Sequence, residues 1–280
     1  MLHSLTFDQY KDEFRFLKLR RENGILEVRM HWDDGPAKWS GYEESLHSEL
    51  PELFQCVTKD PENKVMIFTG TGHEFLAEWD QGDSSEVFVS PAQWHRLYKD
   101  GKELIHWFLD VEIPVIAAVN GKVSIHPELP TLCDIVVAAD TASFADKAHL
   151  TDTRAVPGDG SHVWWPMLLG PNRGRSFLLL GEEIPAAEAK TLGFVAEVVP
   201  HAKVLDRAWE IARELLTHDP LVLKYTRVSL VQHLKRRFLD DLGYGLALEG
   251  LGVLQMACTA SGSKGWSFGL PGGRSGDDKS

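Results

Sequence analysis

Five side chains in this sequence are of a type, and in a setting, to move protons or hold a polar substrate: His126, Glu128, His149, Asp159 and Glu249. His149 and Asp159 stand ten residues apart across a stretch containing Pro157 and Gly158. A loop folded back there lets Asp159 accept the Nδ1–H of His149. That bond would fix the imidazole tautomer and raise its basicity, as a general base acting on water requires. The same spacing equally fits a solvated histidine followed by an aspartate capping a helix over Gly160–Leu169. His126 precedes Pro127, which confines it to extended backbone. It reads either as a donor to a substrate oxygen or as a core histidine bonded to backbone. Glu249 is the only charged side chain between Asp241 and Lys264. A lone acid in an apolar helix is either buried and functional, with a raised pKa, or turned to solvent on a polar face. Trp39, in PAKWSG, is either a rim aromatic or an indole N–H donor aimed into a site. His126, Glu128 and His149 lack the HExxH-type spacing of a zinc helix, so no metal is expected.

The elements that must carry these residues follow from apolar periodicity. Val115–Val119 is a β-branched run bounded by Pro114 and Asn120-Gly121 and predicts a buried strand. A short helix-like piece, Leu129–Cys133, leads into a second buried strand, Ile135–Ala139, and then into a long irregular stretch holding His149 and Asp159. Upstream, Phe14–Arg20 and Ile25–Trp32 flank an Asn23-Gly24 hairpin signal. Ser40–Thr58 has helical spacing despite Pro51, Lys64–Thr69 predicts a buried strand, and Pro91–Leu109 a helix. Downstream come helices over Pro171–Leu180, Pro185–Leu192 and Val204–Leu216, a strand at Phe194–Val199, and one or two helices over Pro220–Val253. Alternating buried strands and helices predict an α/β fold with parallel strands. The domain reading is a core over 1–200, a helical segment over 201–260 and a Gly/Ser/Pro-rich, disordered tail over 261–280.

Composition narrows the function classes. With 280 residues, 43% hydrophobic and 25% charged, the chain has the make-up of a soluble globular protein. A net charge of -12 disfavours nucleic acid and anionic membrane as partners. The three cysteines, Cys56, Cys133 and Cys258, form no CxxC pair, which fits a reducing compartment. The N-terminal stretch lacks an apolar signal core, and no apolar run reaches the roughly 20 residues of a membrane span. The expectation is a cytoplasmic protein.

The succession KVMIFTGTGHEF, EIPVIAAVNGKV, CDIVVAAD and PGDG…LLG…GR…LLLG…AAEAKTLGFVAEVVP resembles the crotonase (enoyl-CoA hydratase/isomerase) superfamily over roughly residues 14–235. The resemblance implies a ββα spiral forming two stacked sheets, with a helical C-terminal segment that drives trimer or dimer-of-trimers assembly. Members acting on acyl-CoA thioesters stabilise an enolate with two backbone N–H groups, one from an AG-aD loop and one from a glycine run. Here these segments read Ala77-Glu78-Trp79-Asp80 and Ile125-His126-Pro127, without the glycines. Of the two hydratase glutamates, Glu128 occupies the first position, and the second falls at Ala148-His149. The residues that remain match instead the β-diketone hydrolase branch, typified by 6-oxocamphor hydrolase: IHPELP with His126, AHL with His149, VPGDGSH with Asp159 and GLALEG with Glu249. That likeness implies hydrolytic C–C cleavage of a 1,3-diketone, a retro-Claisen reaction without cofactor. A His149–Asp159 pair would activate water, His126 and Trp39 would donate to the carbonyl or enolate oxygen, and Glu249 would position or relay. Trp79 and Glu128 are expected at the substrate, in a closed apolar pocket with no cationic groove for a CoA nucleotide. The alternatives are an acyl-CoA hydratase or isomerase that uses Glu128, and a catalytically silent scaffold.

Overall fold

The computed structural model describes residues 4–41, 44–80 and 90–260, so the expected tail over 261–280 lies outside the described residues. Strands β1 (Leu17–Glu22) and β2 (Ile25–Met30) form an antiparallel hairpin. Its turn is closed by Asn23 at φ 53° and Gly24 at φ 87°, the left-handed pair that an Asn-Gly turn supplies. There follow β3 (Lys38–Trp39), α1 (Leu46–Lys59), β4 (Val65–Thr69), β5 (Glu74–Leu76), β6 (Glu78–Trp79) and α2 (Pro91–Asp110). The middle of the chain holds β7 (Val115–Val119), β8 (Lys122–Val123), α3 (Glu128–Thr131), β9 (Ile135–Ala139) and β10 (Ser143–Ala145). The last third holds α4 (Ser161–Leu168), α5 (Pro171–Leu180), β11 (Glu183–Pro185), α6 (Ala186–Leu192), β12 (Glu197–Val199), α7 (Val204–Leu215) and α8 (Pro220–Ala260).

The wholly buried runs VMIFT and VIAAV become adjacent parallel strands in a six-stranded sheet ordered β1-β2-β4-β7-β9-β12. A four-stranded sheet is ordered β11-β10-β8-β5. Each larger-sheet strand β4, β7 and β9 is followed by a strand of the smaller sheet, β5, β8 and β10, so the chain winds between sheets as a spiral. Phe68 on β4 and Phe75 on β5 meet edge to face at 5.4 Å between ring centroids, inside one continuous core. A two-stranded parallel sheet, β3-β6, places Trp39 opposite Trp79.

The helical segment expected over 201–260 divides. Helix α7 packs on β4, β7 and β9, whereas α8 runs along α2. Helix α8 is one helix of 41 residues, about 60 Å long at 1.5 Å per residue. Arg227 fastens it: this buried guanidinium donates from Nε to Asp134 at 2.7 Å and from Nη1 to the Val111 carbonyl. Phe238, Leu242 and Leu246 bury the inner face of α8, and Leu221, Val222, Tyr225, Leu230, Leu239 and Tyr244 remain exposed on it. Among the described residues no helix is long and apolar enough to cross a membrane.

Candidate active site

Strand β10 ends at Ala145, and the next residue, Asp146, is buried. The stretch that follows, read from sequence as irregular, is a π-helical turn over Ala148–Thr153, a wide turn that recurs at functional sites. Thr153 Oγ1 donates to the Ala148 carbonyl at 2.7 Å, and Arg154 ends the turn in the left-handed region at φ 57°. This turn points His149 inward. Its Nδ1–H donates to Asp146 Oδ1 at 2.6 Å, and its Nε2 lies 3.2 Å from Asp159 Oδ2. The expected neighbours therefore meet, but on the other nitrogen: Asp146, three residues back, takes the Nδ1 position that spacing assigned to Asp159. Nor does Asp159 cap the following helix, α4, whose N-cap is Gly160 at φ 131°.

The loop that carries Asp159 is pinned by close backbone approach. A Cβ on Gly158 would lie 2.2 Å from the Gly245 carbonyl oxygen of α8, so only glycine fits. The same helix brings in Glu249, whose Oε1 is 4.0 Å from His149 Nε2.

His126 is not extended, contrary to the expectation from Pro127. It sits at φ 46°, a left-handed conformation that a residue before proline rarely adopts and that costs on the order of 1–3 kcal/mol. A positive φ is the backbone region that glycine enters most readily, and His126 occupies it with a full side chain. The ring is held by Glu128, whose Oε1 is 2.5 Å from Nδ1. Asp159 Oδ2 lies 3.4 Å from the same nitrogen. Glu128, expected at the substrate, is instead fully buried behind His126, where it also accepts from Ser161 Oγ at 3.2 Å. It does not line the cavity.

The cavity that these groups face is about 410 Å³. Trp39, Trp79, Trp94 and Leu246 are among its apolar walls, and among the described residues no Lys or Arg lines it. Trp39 is a buried wall rather than a rim residue, with its ring centroid 4.1 Å from that of His126. Trp79 presents its ring to the cavity, because its indole N–H donates to Asp152 at 3.2 Å. His47, on the first turn of α1, also lines the cavity, its ring 6.1 Å from that of His126. The sequence offered no sign of it beyond a histidine in an amphipathic helix.

Burial and charge push these groups apart. Burial disfavours a charged His149, but Asp159 and Asp146 outweigh it and hold the imidazole well above the ordinary histidine range. His126 is likewise opposed by burial, and Glu128 and Asp159 raise it to about 9. His47 lacks such partners: burial, then the nearby His126 cation, lowers it to about 3. Burial works against the Asp159 carboxylate, yet His149 and His126 keep it below the usual carboxylate value. Burial, then the Asp159 charge, lifts Glu249 to about 8. Two triplets, His149–Asp159–Glu249 and His126–Glu128–Asp159, have ligand atoms within 4.8 Å of one another and could in principle clasp a cation. A metal there would have to displace the protons that the carboxylates hold on both imidazoles.

Over residues 20–243 the sequence matches the family model for enoyl-CoA hydratase/isomerase. The chain belongs to that family. Within it, the chain is 32% identical over 215 residues to carnitinyl-CoA dehydratase of Shigella flexneri, covering 74% of this chain and 77% of that one. Among solved structures it is similar to a β-diketone hydrolase from the cyanobacterium Anabaena sp. PCC 7120 bound to (S)-3-oxocyclohexyl acetic acid. That likeness has a TM-score of 0.84 and 41% identity, and it covers 89% of this chain and 98% of that one. An enoyl-CoA hydratase/isomerase from Mycobacterium paratuberculosis aligns with a TM-score of 0.78 and 27% identity over 85% of this chain and 94% of that one. The α/β spiral with its C-terminal helix is the crotonase fold.

Proposed function

We propose that this chain hydrolyses a carbon–carbon bond of a cyclic or bicyclic 1,3-diketone, giving a keto acid. The observation that carries this reading is His149, oriented by Asp146 and turned towards Asp159 at the wall of an apolar cavity. The likeness to the cyanobacterial β-diketone hydrolase supports it. Neutral His149 takes a proton from water while hydroxide adds to one carbonyl. The tetrahedral adduct then collapses, the bond to the central carbon breaks, and its electron pair passes into an enolate on the second carbonyl. The imidazolium returns its proton to that carbon, so the sum is addition of one water. His126, whose Nδ1 is committed to Glu128, donates from Nε2 to the developing oxyanion, with Trp39 beside it. Glu249, neutral below about pH 8, donates to a substrate oxygen or relays the proton. The second carbonyl is the electron sink, so the scheme calls for no cofactor.

Two carboxylates keep His149 protonated in the resting site. The form that accepts a proton from water has lost that proton, so kcat/KM rises with pH along a limb above the ordinary histidine range. A second reading, acyl-CoA hydration or dehydration, is favoured by the carnitinyl-CoA dehydratase relatives. It would need Glu128 at the substrate, whereas Glu128 lies behind His126. Loss of diketone absorbance across a panel of cyclic 1,3-diketones, with the product acid identified by mass, tests the proposal. Thioester turnover without diketone cleavage would overturn it. The exposed apolar residues of α8 support a trimer or hexamer, for which light scattering supplies the mass.

A further inference from the structure

The catalytic cavity shares a wall with another. A second cavity of about 280 Å³ lies between α2 and α8, bounded by Pro91, Tyr98, Ala247, Gly250 and Leu251, and Trp94 lines both. Trp94 is fixed at both ends. Its backbone stands in the first turn of α2, where Ser90 Oγ accepts from the Gln93 N–H at 3.2 Å and Pro91 presets the helix. Its indole N–H donates to the Leu246 carbonyl of α8 at 3.1 Å. The ring then lies on Gly250, one turn further along: a Cβ there would come within 2.2 Å of Trp94 Nε1 and 2.4 Å of Cδ1. Glycine is unfavourable inside a helix. Here it supplies the space in which an indole beds against helix backbone. The result is a single aromatic ring between two apolar spaces, held by a hydrogen bond and a seat made of absent atoms. The reacting groups His149 and Asp159 stand on other elements.

We propose that Trp94, seated on Gly250, is the partition that sets the largest substituent the substrate ring can carry. The space behind it is then a latent subsite for an apolar chain. This rests on the diketone reading above and concerns the specificity of the same site. The test is kcat/KM for cyclic 1,3-diketones bearing linear alkyl chains from methyl to hexyl, in wild type and in Trp94→Ala. The wild type should lose efficiency as the chain lengthens. Trp94→Ala should raise the hexyl-to-methyl ratio at least about tenfold, since one methylene in a fitted apolar pocket already discriminates by about that factor. An unchanged ratio in a variant that still melts cooperatively overturns the partition. Should Trp94→Ala fail to fold, Trp94→Leu removes most of the ring and is read the same way. If no diketone is cleaved by the wild type, the hydrolase reading fails separately. The partition is then read from calorimetric binding of alkylcyclohexanones, where the same shift in ratio supports it and equal ratios overturn it.

Discussion

The α1 wall of the cavity and the β10 wall each present a buried histidine, and they leave the two rings in opposite states. His47 and His149 are similarly buried, at 7% and 5% exposure. His47 is pushed down to about 3, with burial the largest cause, and stays neutral. His149 is driven well above its ordinary value because two carboxylates overcome burial of the same kind. Burial alone makes a histidine a silent polar wall, and burial with paired acids makes it a charged, oriented one. The proposed hydrolysis places its chemistry on the β10 side and leaves α1 to supply shape and a neutral hydrogen-bonding edge.

If this contrast is sound, removing the charged ring does the most damage. His149→Ala should lower kcat for diketone hydrolysis by about 10³-fold or more, measured by product acid formation. Asp159→Asn should lower kcat by roughly 10²-fold with little change in KM, because the shape survives and the charge beside the imidazolium does not. Full activity in either variant would remove the hydrolytic mechanism. Glu249→Gln sharpens the comparison through stability. An unfolded glutamate ionises near 4.5, and Glu249 holds its proton to about 8. Between those values the unfolded chain sheds a proton that the folded chain keeps, so this group's effect on stability worsens as pH rises. The Gln variant should gain on the order of 2–4 kcal/mol at pH 8 and nothing at pH 4, by denaturant melts. Asp146→Asn should reduce kcat about tenfold and move the lower limb of the kcat/KM profile to lower pH, since one of two supporting charges is gone. His47→Gln should change KM by no more than a few-fold and leave that limb in place. A shifted limb there would break the division between the walls.

Where local rules are sufficient, the fold was legible. Val65–Thr69 and Val115–Val119 appear as strands because each is an apolar run with no polar side chain to expose, save Thr69, whose hydroxyl donates to the Ala118 carbonyl at 2.8 Å. Asn23-Gly24 turns as its backbone preferences require. Loop spacing allowed His149 and Asp159 to meet, and the family resemblance implied Glu249 beside them, but the nitrogen that faces each acid was not legible. That depends on the π turn, which brings Asp146 onto Nδ1 and turns Nε2 towards Asp159. An aspartate three residues before the histidine was the available signal. At His126 a local rule was overridden: Pro127 favours extended backbone, yet Glu128 and the tertiary setting hold the residue at positive φ. Trp94 and His47 became visible only once α2 and α1 were folded against α8 and β3, since each reads in sequence as an ordinary residue of an amphipathic helix.

The contact between Gly158 and Gly245 bears on how this site can be altered. Asp159 and Glu249 are ninety residues apart in the chain, yet the loop of one and the helix of the other touch through two residues that have no side chain. Mechanically they are a single part. A methyl group added at Gly158 would act as a shim, meeting the Gly245 carbonyl oxygen at 2.2 Å and Glu249 Cβ at 2.9 Å, and would shift the helix and Glu249 relative to Asp159. Anyone redesigning the cavity can therefore vary its tryptophan lining one residue at a time, but the acid pair has to be moved as one piece.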